Sequence, residues 1–154
     1  MRQSADMDFD QVRATVVDVI DAMWATDRDE RLFIRNGWPG ASCEHVGVAV
    51  AAVLEDRGLG QWTFVTAGRP GEMNGHAWLE LRDASGEALF SIDPTLHQFD
   101  EWSAPFVGQG PTPAAAEFTD VRSEGAIWDW EYLGSEEQVF RRLIRAVRAQ
   151  LEMS

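Results

Sequence analysis

Hydrophobic positions near the start of the chain recur at three- and four-residue spacing: Phe9, Val12, Val16, Ile20 and Met23. That period puts them on one face and predicts a helix from about Phe9 to Trp24, with Asp8 as its N-cap. The segment from Ala25 to Arg31 is charged and leaves the helix. Asn36-Gly37-Trp38-Pro39-Gly40-Ala41-Ser42 follows, and its glycines and proline predict a constrained loop. A second apolar stripe (Val46, Ala49, Val50, Val53, Leu54) predicts a helix from about Cys43 to Asp56, closed by Gly58 and Gly60. Cys43 therefore stands at a helix amino end.

The period then changes. Trp62 to Ala67 is short and rich in β-formers. After two turn-like clusters, His76 to Leu81 alternates. His76, Trp78 and Glu80 face one way and Ala77, Leu79 and Leu81 the other. Asp83-Ala84-Ser85-Gly86 predicts a hairpin turn into a returning strand, Ala88 to Ile92, which ends at Asp93-Pro94-Thr95. Trp102 to Pro113, with two glycines and three prolines, reads as a loop or flap. Trp128, Trp130 and Tyr132 alternate at strand spacing and predict a further strand. A last helix is predicted from about Ser135 to Glu152, with Ser135 and Gln138 as a capping box. The expected fold class is α+β. A Cys-bearing helix packs on a small antiparallel sheet, flanked by N- and C-terminal helices, in one domain over residues 1–154.

Composition narrows the partners. The chain has 154 residues and a formal charge of -13, from 26 acidic and 13 basic residues. Such a charge repels phosphates and anionic lipid, so no nucleic acid and no membrane partner is expected, while a basic protein partner remains open. No apolar run approaches the roughly 20 residues a membrane span requires. The single cysteine excludes an internal disulfide. With no secretory signal in the acidic start, a cytoplasmic location is expected.

The chemistry lies in three ordered positions: a Cys opening a helix, a His opening a strand and an Asp closing the next strand. A thiolate, not a thiol, attacks carbonyls, and helix amino ends and imidazolium neighbours favour thiolates. His76 would take the proton of Cys43 and return it to a leaving group. The hairpin brings Asp93 back beside His76, where it can fix the imidazole tautomer. Oxyanion and substrate contacts are expected from the backbone of Cys43 and from either the Asn36 amide or a backbone N–H near Ser42, with Trp38 and Trp78 either walling the groove or packing in the core.

The strings Gly40-Ala41-Ser42-Cys43, Gly75-His76-Ala77-Trp78-Leu79-Glu80 and Ile92-Asp93-Pro94-Thr95, followed by Gln98-Phe99, resemble the papain-like/transglutaminase-like cysteine superfamily. The resemblance spans Asn36 to Phe99. It implies a compact papain/transglutaminase-like core, a Cys43-His76-Asp93 triad and acyl transfer through a Cys43 acyl-enzyme, with no cofactor and no metal. The expected substrates are small-molecule, peptide or carrier-bound acyl compounds. The products of hydrolysis, deamidation, cyclisation or acyl transfer all stay open.

Plainer roles compete. A lone Cys is most often a small buried hydrophobe. Asp93 could simply initiate a turn. His45, two residues past Cys43 on a helix, points away from it. His97 is expected at the surface, and Glu80 at a solvated strand edge. A Cys43/His76/His97 zinc site is a further option, although no compact ligand pair supports it. The alternative function is a non-catalytic acidic binding or immunity-type protein with the same fold.

Overall fold

The computed structural model describes residues 7–26, 43–129 and 133–153. Among these, four helices and five strands form an α+β structure. Helix α1 (Phe9–Ala25) begins where Asp8 accepts hydrogen bonds from the backbone N–H groups of Asp10 and Gln11. Helix α2 (Cys43–Asp56) is buried on nearly every side, which its run of Val and Ala allows. Helix α3 (Ala114–Glu117) is a single turn, and α4 (Leu133–Met153) is the long C-terminal helix. It starts two residues before Ser135, so that residue lies within the helix rather than capping it.

The strands are β1 (Thr63–Gly68), β2 (Gly75–Arg82), β3 (Ala88–Asp93), β4 (Phe106–Gln109) and β5 (Asp120–Gly125). Their order in the sheet is β4-β3-β2-β1-β5, with every neighbouring pair antiparallel. Strand β2 thus lies at the centre, paired on both edges.

Alternation along β2 and β3 divides the side chains between two clusters. Ala77, Leu79, Leu81, Phe90 and Ile92 join the main core with the apolar faces of α1, α2 and α4. Trp78 joins a smaller cluster on the other face, with Val65, Leu96, Ala114 and Phe118. Ion pairs tie the helical layer together: Arg57 to Asp18 of α1, and Arg148 of α4 to both oxygens of Asp56 at the end of α2.

Two further expectations need correction. The stretch from Trp102 to Pro113 is not all loop, since Phe106–Gln109 pairs with β3 as an edge strand. Prolines flank it rather than interrupt it, as an edge tolerates. The strand expected around Trp128 is absent there: Ile127–Asp129 forms a 3-10 turn, and Trp130 and Tyr132 lie outside the described residues. The last strand instead runs over Asp120–Gly125, whose side chains are mostly solvated. A polar edge strand carries no apolar alternation to detect.

Candidate active site

His76 is the second residue of β2 and Asp93 the last of β3. The two strands pair with Leu79 opposite Ile92. Continuing that register puts Asp93 level with Trp78, on the same face as His76 and diagonal to it. The side chains meet: Nε2 of His76 lies 2.7 Å from Oδ1 of Asp93, and both side chains are 0% exposed. A carboxylate only accepts, so Nε2 carries the proton and Nδ1 is the nitrogen left for other partners.

The other carboxylate oxygen is also satisfied. Thr112, just beyond β4, donates its hydroxyl to Oδ2 at 2.7 Å. Thr112 Oγ1 in turn accepts from the backbone N–H of Ala114 at 3.3 Å, which anchors it to α3. The Gln98 side-chain amide lies 3.3 Å from His76 Nδ1 and donates to the Thr95 carbonyl at 3.1 Å. Rings complete the cage. Phe99 meets the imidazole edge-on at 5.0 Å between centroids, and Trp78 and Phe118 lie at 5.8 and 5.6 Å.

Burial alone would drive the imidazolium pKa down. Hydrogen bonds to Asp93 and to Cys43, with the charges of both, outweigh it and raise the pKa of His76 to about 9. An ionisable pair withdrawn this far from water costs stability, and such pairs gather at functional sites.

Cys43, the first residue of α2, is partly exposed and lines a cavity of about 640 Å³. His76, Gln98, Phe99, Asn74 and Arg122 share its wall. The three positions singled out from sequence thus come together at the amino end of α2 and the start of β2.

The other expected residues divide. Asn36, Trp38 and Ser42 lie outside the described residues. Of its two expected places Trp78 takes the core: it is buried, and its indole N–H donates to Glu80 at 2.8 Å. Glu80 is not a solvated edge residue either. It is buried on the central strand and also accepts from Arg82 at 2.8 Å. His45 packs against Phe140 of α4, and burial lowers its pKa to about 4. His97 is only partly exposed and lines a different cavity, between α1 and the β3–β4 edge, so it does not converge with Cys43 and His76. Among the described residues, no group of three His, Cys, Asp or Glu side chains is arranged to hold a metal ion. None of the described helices is long and apolar enough to cross a membrane.

Thr112 and Arg122 had no sequence signal. A threonine in a proline-rich loop and an arginine in a polar strand look like ordinary surface residues. Gln98 entered only as part of a motif string.

Comparison with known proteins finds no matching family model, no matching curated protein and no matching solved structure. The functional reading therefore stands on the geometry of this chain.

Proposed function

We propose that this chain is a cysteine-nucleophile acyl-transfer enzyme with a papain/transglutaminase-like core, in which Cys43, His76 and Asp93 form the triad. One observation carries the reading. A fully buried imidazole is clamped through Nε2 by an equally buried carboxylate, while its surroundings open onto a cavity walled by the chain's only thiol.

The chemistry follows from that arrangement. His76 is imidazolium up to about pH 9, so it enters the reaction with the Cys43 proton already on Nδ1, and the thiolate attacks the carbonyl carbon of an amide, ester or thioester. The carbonyl π pair moves onto oxygen, and the oxyanion is held by backbone N–H at the amino end of α2. Collapse breaks the bond to the leaving group, which departs with the proton from His76. Water or an amine then gives a proton to His76 and attacks the thioester, and the thiol is re-formed as that proton returns. Asp93 holds the ring orientation and the imidazolium charge throughout.

Alkylation tests this directly. Iodoacetamide should label wild-type Cys43 at near-neutral pH at least ~10-fold faster than a free thiol, as thiolate activation requires. Intact-mass measurement after incubation with activated acyl donors should show an adduct on Cys43 that Cys43→Ala lacks. Labelling no faster than a free thiol would remove the reading. A non-catalytic acidic binder is the other candidate, favoured by the charge of -13. It gives the buried His76–Asp93 pair no task that would offset its cost.

A further inference from the structure

Arg122 reaches the Cys43 cavity by a construction that proton transfer does not need. In the β1–β5 register, Thr66 lies opposite Ser123 and Ala67 opposite Val121. Arg122 is therefore the extra residue of a β-bulge, a device that re-aims a side chain. The guanidinium passes over the ends of β1 and β2, where Gly68 pairs with Gly75. A Cβ on Gly68 would stand 2.2 Å from one guanidinium nitrogen, and a Cβ on Gly75 would stand 2.8 Å from the other. Neighbouring strands thus both lack a side chain where the guanidinium crosses, and the second glycine directly precedes His76.

The charge at the end of this side chain is uncommitted. Arg122 donates one hydrogen bond, to the Glu72 carbonyl at 3.0 Å, and makes no ion pair among the described residues. Arg69, near the same rim, is paired with Glu101 and lies over the rings of Phe99 and Phe118. Arg82 is held by Glu80 and Glu124. A surface arginine left to solvent needs neither a bulge nor two bare glycines. Glu44 is the acidic residue on the cavity wall and Arg122 the permanent cation there, among the described residues. A guanidinium presents a planar fork of N–H donors that matches a carboxylate.

We propose that Arg122, aimed by its bulge across Gly68 and Gly75 into the Cys43–His76 cavity, binds a carboxylate on the acyl substrate and so selects acidic acyl compounds. The inference rests on the acyl-transfer reading for its reaction, but its test separates the two.

The probes are N-iodoacetylglycine and N-iodoacetyl-γ-aminobutyrate, each compared with its terminal carboxamide. All share one reacting carbon and leaving group, and differ only at the tip and its reach. The carboxamide rate reports thiolate activation, and the acid-to-amide ratio reports anion recognition. Wild type should favour at least one acid ~10-fold, the scale of one charge-assisted contact. Arg122→Gln should bring that ratio down to that of a free thiol, each acid being compared with its own carboxamide in the same variant, and Arg122→Lys should restore part of it. Gly68→Ala, which displaces the guanidinium without removing its charge, should also lower the ratio. A ratio unchanged in Arg122→Gln, with fast carboxamide labelling, overturns the carboxylate assignment and leaves acyl transfer standing. Slow carboxamide labelling with an Arg122-dependent ratio does the reverse. A phosphonate-tipped probe that outpaces both acids through Arg122 would also overturn the choice of carboxylate.

Discussion

Thr112 donates its hydroxyl to Oδ2 of Asp93 at 2.7 Å, while Oδ1 of the same carboxylate faces His76. The carboxylate is thus held from both sides by residues on different segments. Thr112→Val keeps the shape and leaves a buried oxygen without its donor. The expected cost is about 1–3 kcal/mol of stability. Urea denaturation checks that, and Thr112→Ser should recover most of it. Cys43 alkylation should slow in the valine variant alone. Equal rates in all three proteins would mean that the hydroxyl does not orient Asp93.

Asp93→Asn isolates the charge. The raised pKa of His76 has burial working against it and Asp93 and Cys43 working for it. With the carboxylate neutralised, burial gains weight, and the imidazole should titrate well below about 9. An NMR titration of the His76 ring protons reads this directly. Loss of the charged partner should also slow alkylation of Cys43 at neutral pH by ~10²-fold or more, the low end of general acid–base contributions. A ring that still titrates near 9 in Asp93→Asn would show that Cys43 supplies the effect.

Thr112 and Arg122 mark where the sequence stops being informative. Helices α1 and α2, the β2–β3 hairpin and the ordered Cys43, His76 and Asp93 all leave local signals: an apolar period, a turn cluster, a cap. Asp8 caps α1 as its position suggests, and α2 spans Cys43–Asp56 as its stripe predicts. Thr112 and Arg122 act through pairings between distant segments. Thr112 meets Asp93 only because β4 pairs with β3, and β4 is a four-residue edge strand lodged among prolines. Arg122 depends on a register shift opposite Thr66 and Ala67. A solvated edge strand such as β5 need not alternate apolar and polar residues, so neither its existence nor its bulge has a one-dimensional trace.

The two buried histidines make opposite demands on pH. His76 is raised to about 9, so the folded state holds its proton where the unfolded chain, titrating near 6.5, releases it. That contribution is complete below pH 6.5 and is lost as pH rises through 9. His45 is lowered to about 4, so below pH 6.5 the unfolded chain binds a proton that the fold refuses. Its penalty grows as pH falls from 6.5 toward 4. Each swing is on the order of 3 kcal/mol at its limit. Urea midpoints measured against pH should lose the alkaline slope in His76→Gln and much of the acid slope in His45→Phe. Wild-type and variant curves that run parallel between pH 6.5 and 9 would remove the His76 assignment.

Gly47 controls how closely the cysteine helix approaches the sheet. A Cβ there would stand 2.6 Å from Cε1 of Phe64, and Phe64 is fully buried on β1. Two effects compete in Gly47→Ala. Helix propensity favours alanine by about 1 kcal/mol. Overpacking a filled core costs about 1–3 kcal/mol, because the ring cannot yield without moving its neighbours. Overpacking should win, since Phe64 packs among other fully buried residues of the main core. Gly47→Ala should therefore be destabilised, and because Cys43 lies one turn earlier on the same helix, its alkylation should slow as well. Pairing the change with Phe64→Leu makes room for the new methyl. The double variant should recover alkylation relative to Gly47→Ala even though it loses the larger ring. If the double variant alkylates as slowly as Gly47→Ala, the depth of the helix against Phe64 does not set the position of the thiol.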